Sequence, residues 1–392
     1  MEVWASIKQW FILHLLIGYI FLTSGVIVCF LMFLASLFIW PFNKTLYRKV
    51  VCNLGYTIWS QFAMLGQWWS GSDCKVIIEN PDDFKYLGQE RAIVVMNHKY
   101  EIDWILTWIL SERLGVLGCT KIYGKSSLRW VPIIGWAWHF TESIFLKRQW
   151  EKDRETLTKD LDYLRDYPPG YNVLLLLFCE GTRFTEEKHA ESNAVARQKG
   201  LPELKHHLLP RTKGFVLTMG GIEGKVSSIL DITCGFKKDG AEPTLMNIIQ
   251  GKAVSGEFYV RRIPIGEVPV ENDEVCAEWL HELYRNKDKI YDNFDKNGRF
   301  TIGTEVPIPW RYNDLATYIF WVILLCVPLF YYLAQVFMSG SLYSQLVIIV
   351  LFGFAWLGIR KMIGVSEIKK SSKYGKSSSS ASLANGENKK IN

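Results

Sequence analysis

Charged side chains are missing from two long stretches of this 392-residue chain. No Asp, Glu, Lys or Arg occurs in residues 9–43 or in residues 315–359. The apolar core of the first stretch, residues 11–40, would be about 45 Å long as a helix, against about 30 Å of hydrocarbon in a bilayer. We therefore expect one tilted membrane span there, or a helix broken near Gly18 or Gly25. The alternative is a buried core helix.

The second uncharged stretch is long enough for two spans, with a turn at residues 339–341. Lysine and arginine cluster directly after each stretch, at residues 44–49 and 360–370. By the positive-inside bias, the segment between the stretches and the C-terminus face the cytosol. The predicted organisation is an N-terminal membrane segment (1–45), a cytosol-facing domain (46–310), a transmembrane hairpin (311–363) and a disordered tail (364–392).

Several chemical signatures are also absent. The eight cysteines form no CxxC pair, which argues against a zinc site or a disulfide framework. The chain has no GxSxG nucleophile elbow, and it has no cluster of residues with metal-ligand spacing. We therefore predict neither a serine acyl-enzyme nor a metal requirement.

The C-terminal tail is rich in Ser and Lys, a composition typical of disorder. It ends with Lys389 and Lys390 at the fourth and third places from the end. Two lysines there resemble the dilysine signal that retrieves membrane proteins to the endoplasmic reticulum. We expect a multi-pass protein of that membrane, although the sequence does not separate it from the Golgi.

The segment between the apolar stretches alternates short apolar runs with longer amphipathic ones, which predicts an α/β domain. Strands are predicted at residues 75–79, 92–96, 143–146, 173–178, 229–236 and 258–263. Helices are predicted at residues 102–114, 150–166, 186–199 and 273–295. In such a domain the functional residues are expected at strand ends.

His98 and Asp103 are the candidate catalytic pair. His98 follows the apolar run 92–96, and Asp103 falls about one turn into the next predicted helix. A carboxylate on one ring nitrogen fixes the tautomer, and the other nitrogen can then take a proton from a hydroxyl. Acyl transfer to an alcohol needs such a base. The same spacing would also suit a structural histidine beside a helix-capping aspartate.

Cationic residues follow several other predicted strands. Glu180, Gly181, Thr182 and Arg183 end the most apolar run of the domain, and an Arg can hold phosphate oxygens by a bidentate fork. Other strand ends carry Lys147, Arg148, Arg211 and Lys213. Each alone would suit an ordinary solvated turn. Together they predict an anion-binding rim around one base.

The order of these blocks resembles the glycerolipid acyltransferases. The blocks read NHxxxxD at residues 97–103, IFxxR at 144–148, EGTR at 180–183 and a Pro-containing strand end at 209–214. The stretches 135–138, 180–185 and 207–215 are similar to the 1-acylglycerol-3-phosphate acyltransferase family. Residues 14–19 and 364–368 are similar to its animal gamma and delta members. The resemblance covers nearly the whole chain.

The resemblance implies a glycerolipid-acyltransferase-like α/β domain with a mixed sheet, between N-terminal and C-terminal transmembrane helices. It implies an enzyme that moves a fatty acyl group from acyl-CoA to the sn-2 hydroxyl of lysophosphatidic acid, without a further cofactor. His98 would be the general base, and Asp103 its partner. Residues assigned to substrate binding are Asn97, Arg148, Glu180, Gly181, Thr182, Arg183, Pro210, Arg211 and Lys213. Membrane lipids are expected partners and nucleic acid is not.

Two positions depart from the family pattern. Glu142 stands where the second block often opens with Gly, and Cys179 replaces the Pro that often precedes EGTR. Both lie at turns, so they bear on backbone geometry more than on chemistry. Two alternative functions stay open: acyl transfer to another headgroup, such as lysophosphatidylinositol or lysocardiolipin, and an inactive membrane-binding or membrane-shaping protein.

Overall fold

A mixed sheet with helices against it forms the centre of the molecule. A computed structural model describes residues 2–147, 150–222, 224–238 and 240–366. The strands are β1 (Asp73–Ile78), β2 (Ala92–Met96), β3 (Thr120–Lys125), β4 (Ile144–Leu146), β5 (Leu174–Leu177), β6 (Ser228–Phe236), β7 (Ser255–Pro264) and β8 (Thr304–Val306). The helices are α1 (Glu2–Ile7), α2 (Phe11–Phe38), α3 (Lys44–Met64), α4 (Asp103–Arg113), α5 (Ile134–Phe140), α6 (Trp150–Arg165), α7 (Glu186–Gln198), α8 (Thr212–Gly221), α9 (Leu245–Ile249), α10 (Asp273–Asn297), α11 (Asn313–Ser339) and α12 (Leu342–Ser366).

The strand order within the described residues is β4-β3-β5-β2-β6-β7-β1-β8. The first five strands run parallel to one another, whereas β7 pairs antiparallel with β6 and β8 pairs antiparallel with β1. The predicted α/β fold with a mixed sheet is therefore confirmed. Because β2 and β5 are purely apolar, both can lie in the interior of a sheet that is covered on both faces.

Alternate side chains of the central strands enter two separate cores. Ile93 and Val95 pack with apolar residues of α6, α8 and α10 on one face. Ala92 and Val94 pack with α4 on the other face. This two-residue period is the geometry of a strand, and it fixes which face each helix must cover.

The carboxyl ends of the parallel strands meet at one edge of the sheet. Val95 is paired with Leu177 and Ile122 with Leu176. His98, Glu180 and Ser126 follow the ends of these three neighbouring strands, at the same edge of the sheet. The catalytic candidates therefore lie where strand-end sites of such sheets are expected.

Two helices, α2 and α11, are long and apolar enough to cross a membrane. The first stays unbroken past Gly18 and Gly25, so the break expected near these residues does not form. In the second stretch the chain leaves α11 at Ser339 and enters α12 at Leu342, at the turn predicted from the sequence. Both α2 and α11 pack against α3.

The six predicted strands and four predicted helices all form, with ends shifted by at most three residues. Strands β3 and β8 and helices α3 and α8 were not predicted. β3 contains Lys121, and lysine is uncommon in buried strands. The side chain is nevertheless buried here, and it bonds to the Thr141 carbonyl and the Tyr167 hydroxyl. Only the folded chain supplies those two partners. The predicted dilysine signal lies outside the described residues.

Candidate active site

His98 and Asp103 meet at the end of β2. His98 Nδ1 lies 2.9 Å from Asp103 Oδ2. The side chain of Asp103 is 1% exposed and that of His98 is 20% exposed, so the carboxylate is sealed while the ring keeps an open side. With Nδ1–H donated to the carboxylate, Nε2 is left as a proton acceptor. The arrangement is the one that general-base catalysis needs.

Asp103 is fixed by the turn that it caps. Its carboxylate accepts hydrogen bonds from the backbone N–H groups of Lys99, at 2.7 Å, and Tyr100, at 3.0 Å. As the first residue of α4 it also lies at the positive end of the helix dipole. The two N–H bonds hold the carboxylate in place beside the imidazole. The capping role is therefore real, and it coexists with the histidine contact.

Glu180 holds the backbone of the loop that carries His98. Its carboxylate accepts a hydrogen bond from the His98 backbone N–H at 3.1 Å. Burial raises the pKa of this carboxyl to about 8, and N–H groups of His98 and Leu208 oppose that rise. Glu180 is 1% exposed, so its contacts in this structure are with backbone rather than with the open side of the site. Substrate binding by Glu180 stays a prediction.

The turn after Glu180 has a conformation that glycine favours. Gly181 has a φ of 69°, and a Cβ there would lie 2.8 Å from the Arg211 side chain. The sequence reading of a tight turn at Gly181 is thus borne out in the backbone. Further along, the Phe184 N–H donates to the His98 carbonyl at 2.8 Å. The EGTR turn and the histidine loop are therefore joined directly.

Arg183 faces the same loop. Its guanidinium lies 3.6 Å from the carboxylate of Glu101, and both side chains are about one-tenth exposed. The other Glu101 oxygen accepts a hydrogen bond from the Leu245 N–H at 2.8 Å. A phosphate that reaches Arg183 therefore meets a cation already paired with a carboxylate.

The fourth block touches the third. The Arg211 N–H donates to the Cys179 carbonyl at 2.7 Å, which places Arg211 against the EGTR turn. Pro210 is buried. Lys213 lies in the first turn of α8, which begins at Thr212. Three of the four blocks thus come together at one sheet edge.

One other predicted substrate-binding residue, Asn97, stands apart from this cluster. Asn97 is 2% exposed, and its amide exchanges two hydrogen bonds with the backbone of Cys234, at 2.7 and 3.0 Å. In this structure it joins β2 to β6. Arg148 lies outside the described residues. The preceding Lys147 is exposed, and its N–H donates to Asp153 at 2.7 Å.

The two departures from the family pattern have structural counterparts. Glu142 has a φ of 59°, so it takes the left-handed conformation that glycine usually supplies. A bidentate ion pair with the buried Arg48, at 2.9 and 3.2 Å, holds it there. Cys179 is buried, and its carbonyl accepts the bond from Arg211, a role for which any residue suffices.

Three side chains of the site were not singled out from the sequence. Phe178 stacks on the His98 ring with centroids 4.2 Å apart. Lys188 is buried, and its Nζ bonds to Thr182 Oγ1 and the Arg183 carbonyl, each at 3.0 Å. Lys99 Nζ bonds to the Tyr291 hydroxyl at 2.9 Å, and burial lowers the pKa of Lys99. Lys188 carries one signal: it stands at the third position of α7, where a capping box would place Glu.

Known proteins match this chain over most of its length. A family model described as Acyltransferase matches residues 75–219, and one described as Acyltransferase C-terminus matches residues 247–321. The 1-acyl-sn-glycerol-3-phosphate acyltransferase delta of Homo sapiens is 45% identical over 98% of this chain and 100% of its own. The gamma enzyme of Homo sapiens is 41% identical over 96% of this chain and 98% of its own.

A solved structure is also similar. The 1-acyl-sn-glycerophosphate (LPA) acyltransferase PlsC from Thermotoga maritima has 17% sequence identity and a TM-score of 0.43, and it covers 73% of this chain and 98% of its own. The sequence relatives decide the assignment, because their identity extends over both membrane regions and all four blocks. The chain belongs to the 1-acyl-sn-glycerol-3-phosphate acyltransferase family.

Proposed function

We propose that this chain transfers a fatty acyl group from acyl-CoA to the sn-2 hydroxyl of 1-acyl-glycerol-3-phosphate, and that it releases phosphatidic acid and CoA. The observation that carries the proposal is the contact of 2.9 Å between His98 Nδ1 and Asp103 Oδ2. The imidazole of His98 is partly exposed, so a substrate can reach it. The printed names of the gamma and delta relatives supply the acceptor class.

The reaction proceeds by direct transfer in a ternary complex. His98 Nε2 takes the proton of the sn-2 hydroxyl as its oxygen attacks the thioester carbonyl carbon. The tetrahedral intermediate then collapses, the C–S bond breaks, and the departing thiolate takes the proton back from His98. Asp103 stabilises the imidazolium between these steps. The enzyme forms no acyl intermediate and uses neither a metal nor a cofactor beyond acyl-CoA.

The acceptor phosphate binds at the EGTR turn. Arg183 supplies the positive charge that pairs with the phosphate. Hydrogen bonds from Lys188 Nζ hold the Thr182 hydroxyl and the Arg183 carbonyl in place. Arg211 lies against Gly181 on the same turn. Fixing the phosphate there orients the rest of the acceptor, and orientation is a large part of the advantage of an enzyme over solution.

The reaction takes place at a membrane surface. Helices α2 and α11 anchor the domain, and the cations that follow the apolar stretches favour an active site on the cytosolic side. The dilysine ending Lys389–Lys390 favours the endoplasmic reticulum. This orientation gives the site access to cytosolic acyl-CoA and to lysolipid in the adjoining leaflet.

His98→Ala tests the proposed catalysis. We expect turnover of acyl-CoA with lysophosphatidic acid to fall by about 10²- to 10⁴-fold, because general-base assistance has that magnitude. Purified full-length protein in lipid nanodiscs is assayed with radiolabelled acyl-CoA, and acyl-CoA binding is measured beside it. His281→Ala, a histidine outside the four blocks, is the matched control. Normal turnover by His98→Ala would remove His98 from the mechanism.

A second acceptor class is favoured by one contact. The Glu101 carboxylate beside Arg183 lowers the net positive charge of the phosphate site. That suits a phosphodiester, which carries one negative charge on each phosphate where a phosphate monoester carries up to two, as in lysophosphatidylinositol or lysocardiolipin. The same assay, run across lysolipid headgroups with the wild-type protein, ranks these acceptors. No turnover with any of them would instead support an inactive membrane-binding protein.

A further inference from the structure

A cavity of about 480 Å³ lies between α2 and the segment of residues 126–140. Its walls are mostly apolar: Val26, Phe30 and Phe33 of α2 face Trp130 and Trp136 of the segment. Arg129 and His139 are the polar residues of the lining. We call this cavity the α2 groove. Its volume lies in the range of about 300–1,000 Å³ that is typical of small-molecule sites.

The α2 groove opens toward hydrocarbon. α2 is one of the two helices able to cross a membrane, and Val26, Phe30 and Phe33 are about half exposed. Trp130 is 77% exposed, although a tryptophan so exposed is unusual outside an interface. Trp is the residue that settles at the boundary between acyl chains and headgroups. The surroundings of the groove are therefore lipid, and its natural occupant is an acyl chain.

The segment of residues 126–140, which forms the wall opposite α2, has a strained backbone at Ile133. Ile133, a buried β-branched residue, has a φ of 65° and is the centre of a turn in which the Ile134 N–H bonds to the Pro132 carbonyl at 2.8 Å. Such a backbone persists only where its surroundings enforce it, and strain of this kind gathers at functional sites.

Contacts with helix α2 hold Ile133 in this conformation. A Cβ at Gly25 would lie 2.5 Å from the Ile133 side chain, so the absent side chain at Gly25 makes room for Ile133. Cys29 Sγ also lies 3.5 Å from the Ile133 carbonyl. The membrane helix and the segment thus form one rigid unit around the groove.

The groove leads to the active-site edge of the sheet. The segment begins directly after β3, and only β5 lies between β3 and β2 in the sheet. Because these three strands run parallel, the segment leaves the sheet at the same edge as the histidine loop. A chain that lies in the groove can therefore have its head end at the catalytic histidine.

A cation stands at the end of the groove nearest the IFxxR block. Arg129 lines the groove, and its guanidinium lies 5.0 Å from the ring of Phe145 in β4. Arg129 adds positive charge along an apolar groove, which suits an amphiphile with one hydrocarbon tail and an anionic head whose phosphate then binds at the EGTR turn. A lysolipid has that chemistry.

We propose that the α2 groove binds the acyl chain of the lysolipid acceptor, which enters sideways from the bilayer; this inference rests on the proposed function. The groove gains no hydrophobic free energy over the bilayer, because lipid tails are as apolar as its walls. Its effect is orientation: it fixes the direction from which the sn-2 hydroxyl approaches His98. The donor acyl chain lies elsewhere.

Val26→Trp tests the proposal by filling the groove. We expect kcat/KM for 1-oleoyl-lysophosphatidate to fall by tenfold or more. Turnover of 1-hexanoyl-lysophosphatidate, whose short tail needs little of the groove, and the KM for acyl-CoA should stay within twofold of wild type. Full-length protein in phosphatidylcholine nanodiscs is used throughout. Ile27→Trp is the matched control, since Ile27 is a β-branched, partly exposed neighbour on α2 that does not line the groove.

The outcomes separate the two proposals. If Val26→Trp and Ile27→Trp behave alike with the long acceptor, or if Val26→Trp changes the dependence on donor chain length instead, the groove assignment is overturned while the acyltransferase proposal stands. If the wild type acylates no lysolipid, the proposed function itself fails.

A second measurement covers the case in which Val26→Trp loses all activity. Wild-type protein is photolabelled with a lysophosphatidate that carries a diazirine near the end of its acyl chain, and the labelled peptide is sequenced. Label on Phe30, Phe33 or Trp136, competed away by 1-oleoyl-lysophosphatidate, supports the groove. Label that is not competed away, or that falls on the opposite face of α2, assigns the groove to bulk lipid and overturns the inference.

Discussion

Glu142 shows how one side chain can make an unfavourable backbone conformation useful. A non-glycine residue in the left-handed region loses roughly 1–2 kcal/mol relative to helical backbone. Here the conformation aims the carboxylate at Arg48, whose side chain is 1% exposed and also stacks on Tyr167. Without Glu142 the nearest other carboxylate to Arg48 is the exposed Asp166, at 3.8 Å.

Glu142→Gly, which restores the residue common in the family, should therefore destabilise this chain. Glycine relieves strain of about 1–2 kcal/mol, but an unpaired buried charge costs about 3–5 kcal/mol, so we expect a net loss of about 1–4 kcal/mol. Thermal unfolding of the purified protein in detergent measures it. The double variant Arg48→Met/Glu142→Gly is the control, because it removes the stranded charge and should recover much of the loss. An equal or higher melting temperature for Glu142→Gly alone would contradict this account.

His98 and Asp103 mark what a local motif can predict. Their spacing across one helical start brings the imidazole and carboxylate together without help from the rest of the chain, and the contact could be predicted from that spacing. Glu180 could not be placed in the same way. Its contact with the His98 N–H depends on β5 lying beside β2, which is a tertiary fact.

At the scale of elements, α10 links parts of the site that are distant in sequence. Asp288 accepts hydrogen bonds from the N–H groups of Lys205 and His206, each at 2.8 Å, and lies 2.9 Å from His207 Nδ1. Burial lowers the pKa of His207 to about 4, so the ring is neutral at pH 7 and donates to the carboxylate. The next residue, Leu208, offers its backbone to Glu180, which in turn holds His98.

Asp288→Asn should loosen this chain of contacts. The amide nitrogen faces donors, so at least one buried hydrogen bond is lost, at about 1–3 kcal/mol. We expect a lower melting temperature and a several-fold lower kcat, measured well below that temperature, with the KM for acyl-CoA little changed. Asp292→Asn, one turn along α10, is the matched control; Asp292 pairs with Lys205 and His206 at the surface and should matter less. Equal kinetics for the two variants would argue against positioning by Asp288.

At the scale of the whole molecule, the membrane helices are part of the fold. α2 buries Ile20, Val28 and Met32 in the same core as Val51 and Trp59 of α3. α11 is tied to the domain at its start, where Asp314 accepts hydrogen bonds from Gln67 at 2.9 Å and Trp68 at 3.1 Å. The catalytic domain and its anchors therefore share one core.

A chain that starts at Lys44 should accordingly fail as an independent enzyme. Removing α2 exposes the apolar side of α3 and deletes one wall of the α2 groove, so we expect aggregation and loss of activity. Size-exclusion chromatography after detergent extraction, with acyltransferase assays on each fraction, tests this against the full-length chain prepared in parallel. A monodisperse, active product would mean that α2 serves only as an anchor.

The sequence by itself determined the α/β class, the two uncharged stretches, the contact of His98 with Asp103 and the family, because periodicity, composition and short motifs are local properties. The tertiary structure decided the rest. Polar strands such as β3, the support of His98 by Glu180, the pairing of Glu142 with Arg48 and the α2 groove all join residues far apart in the chain. A buried charge or a strained turn is unfavourable by itself, so the sequence does not predict it. Partners that are distant in the chain make it stable once folding brings them into contact.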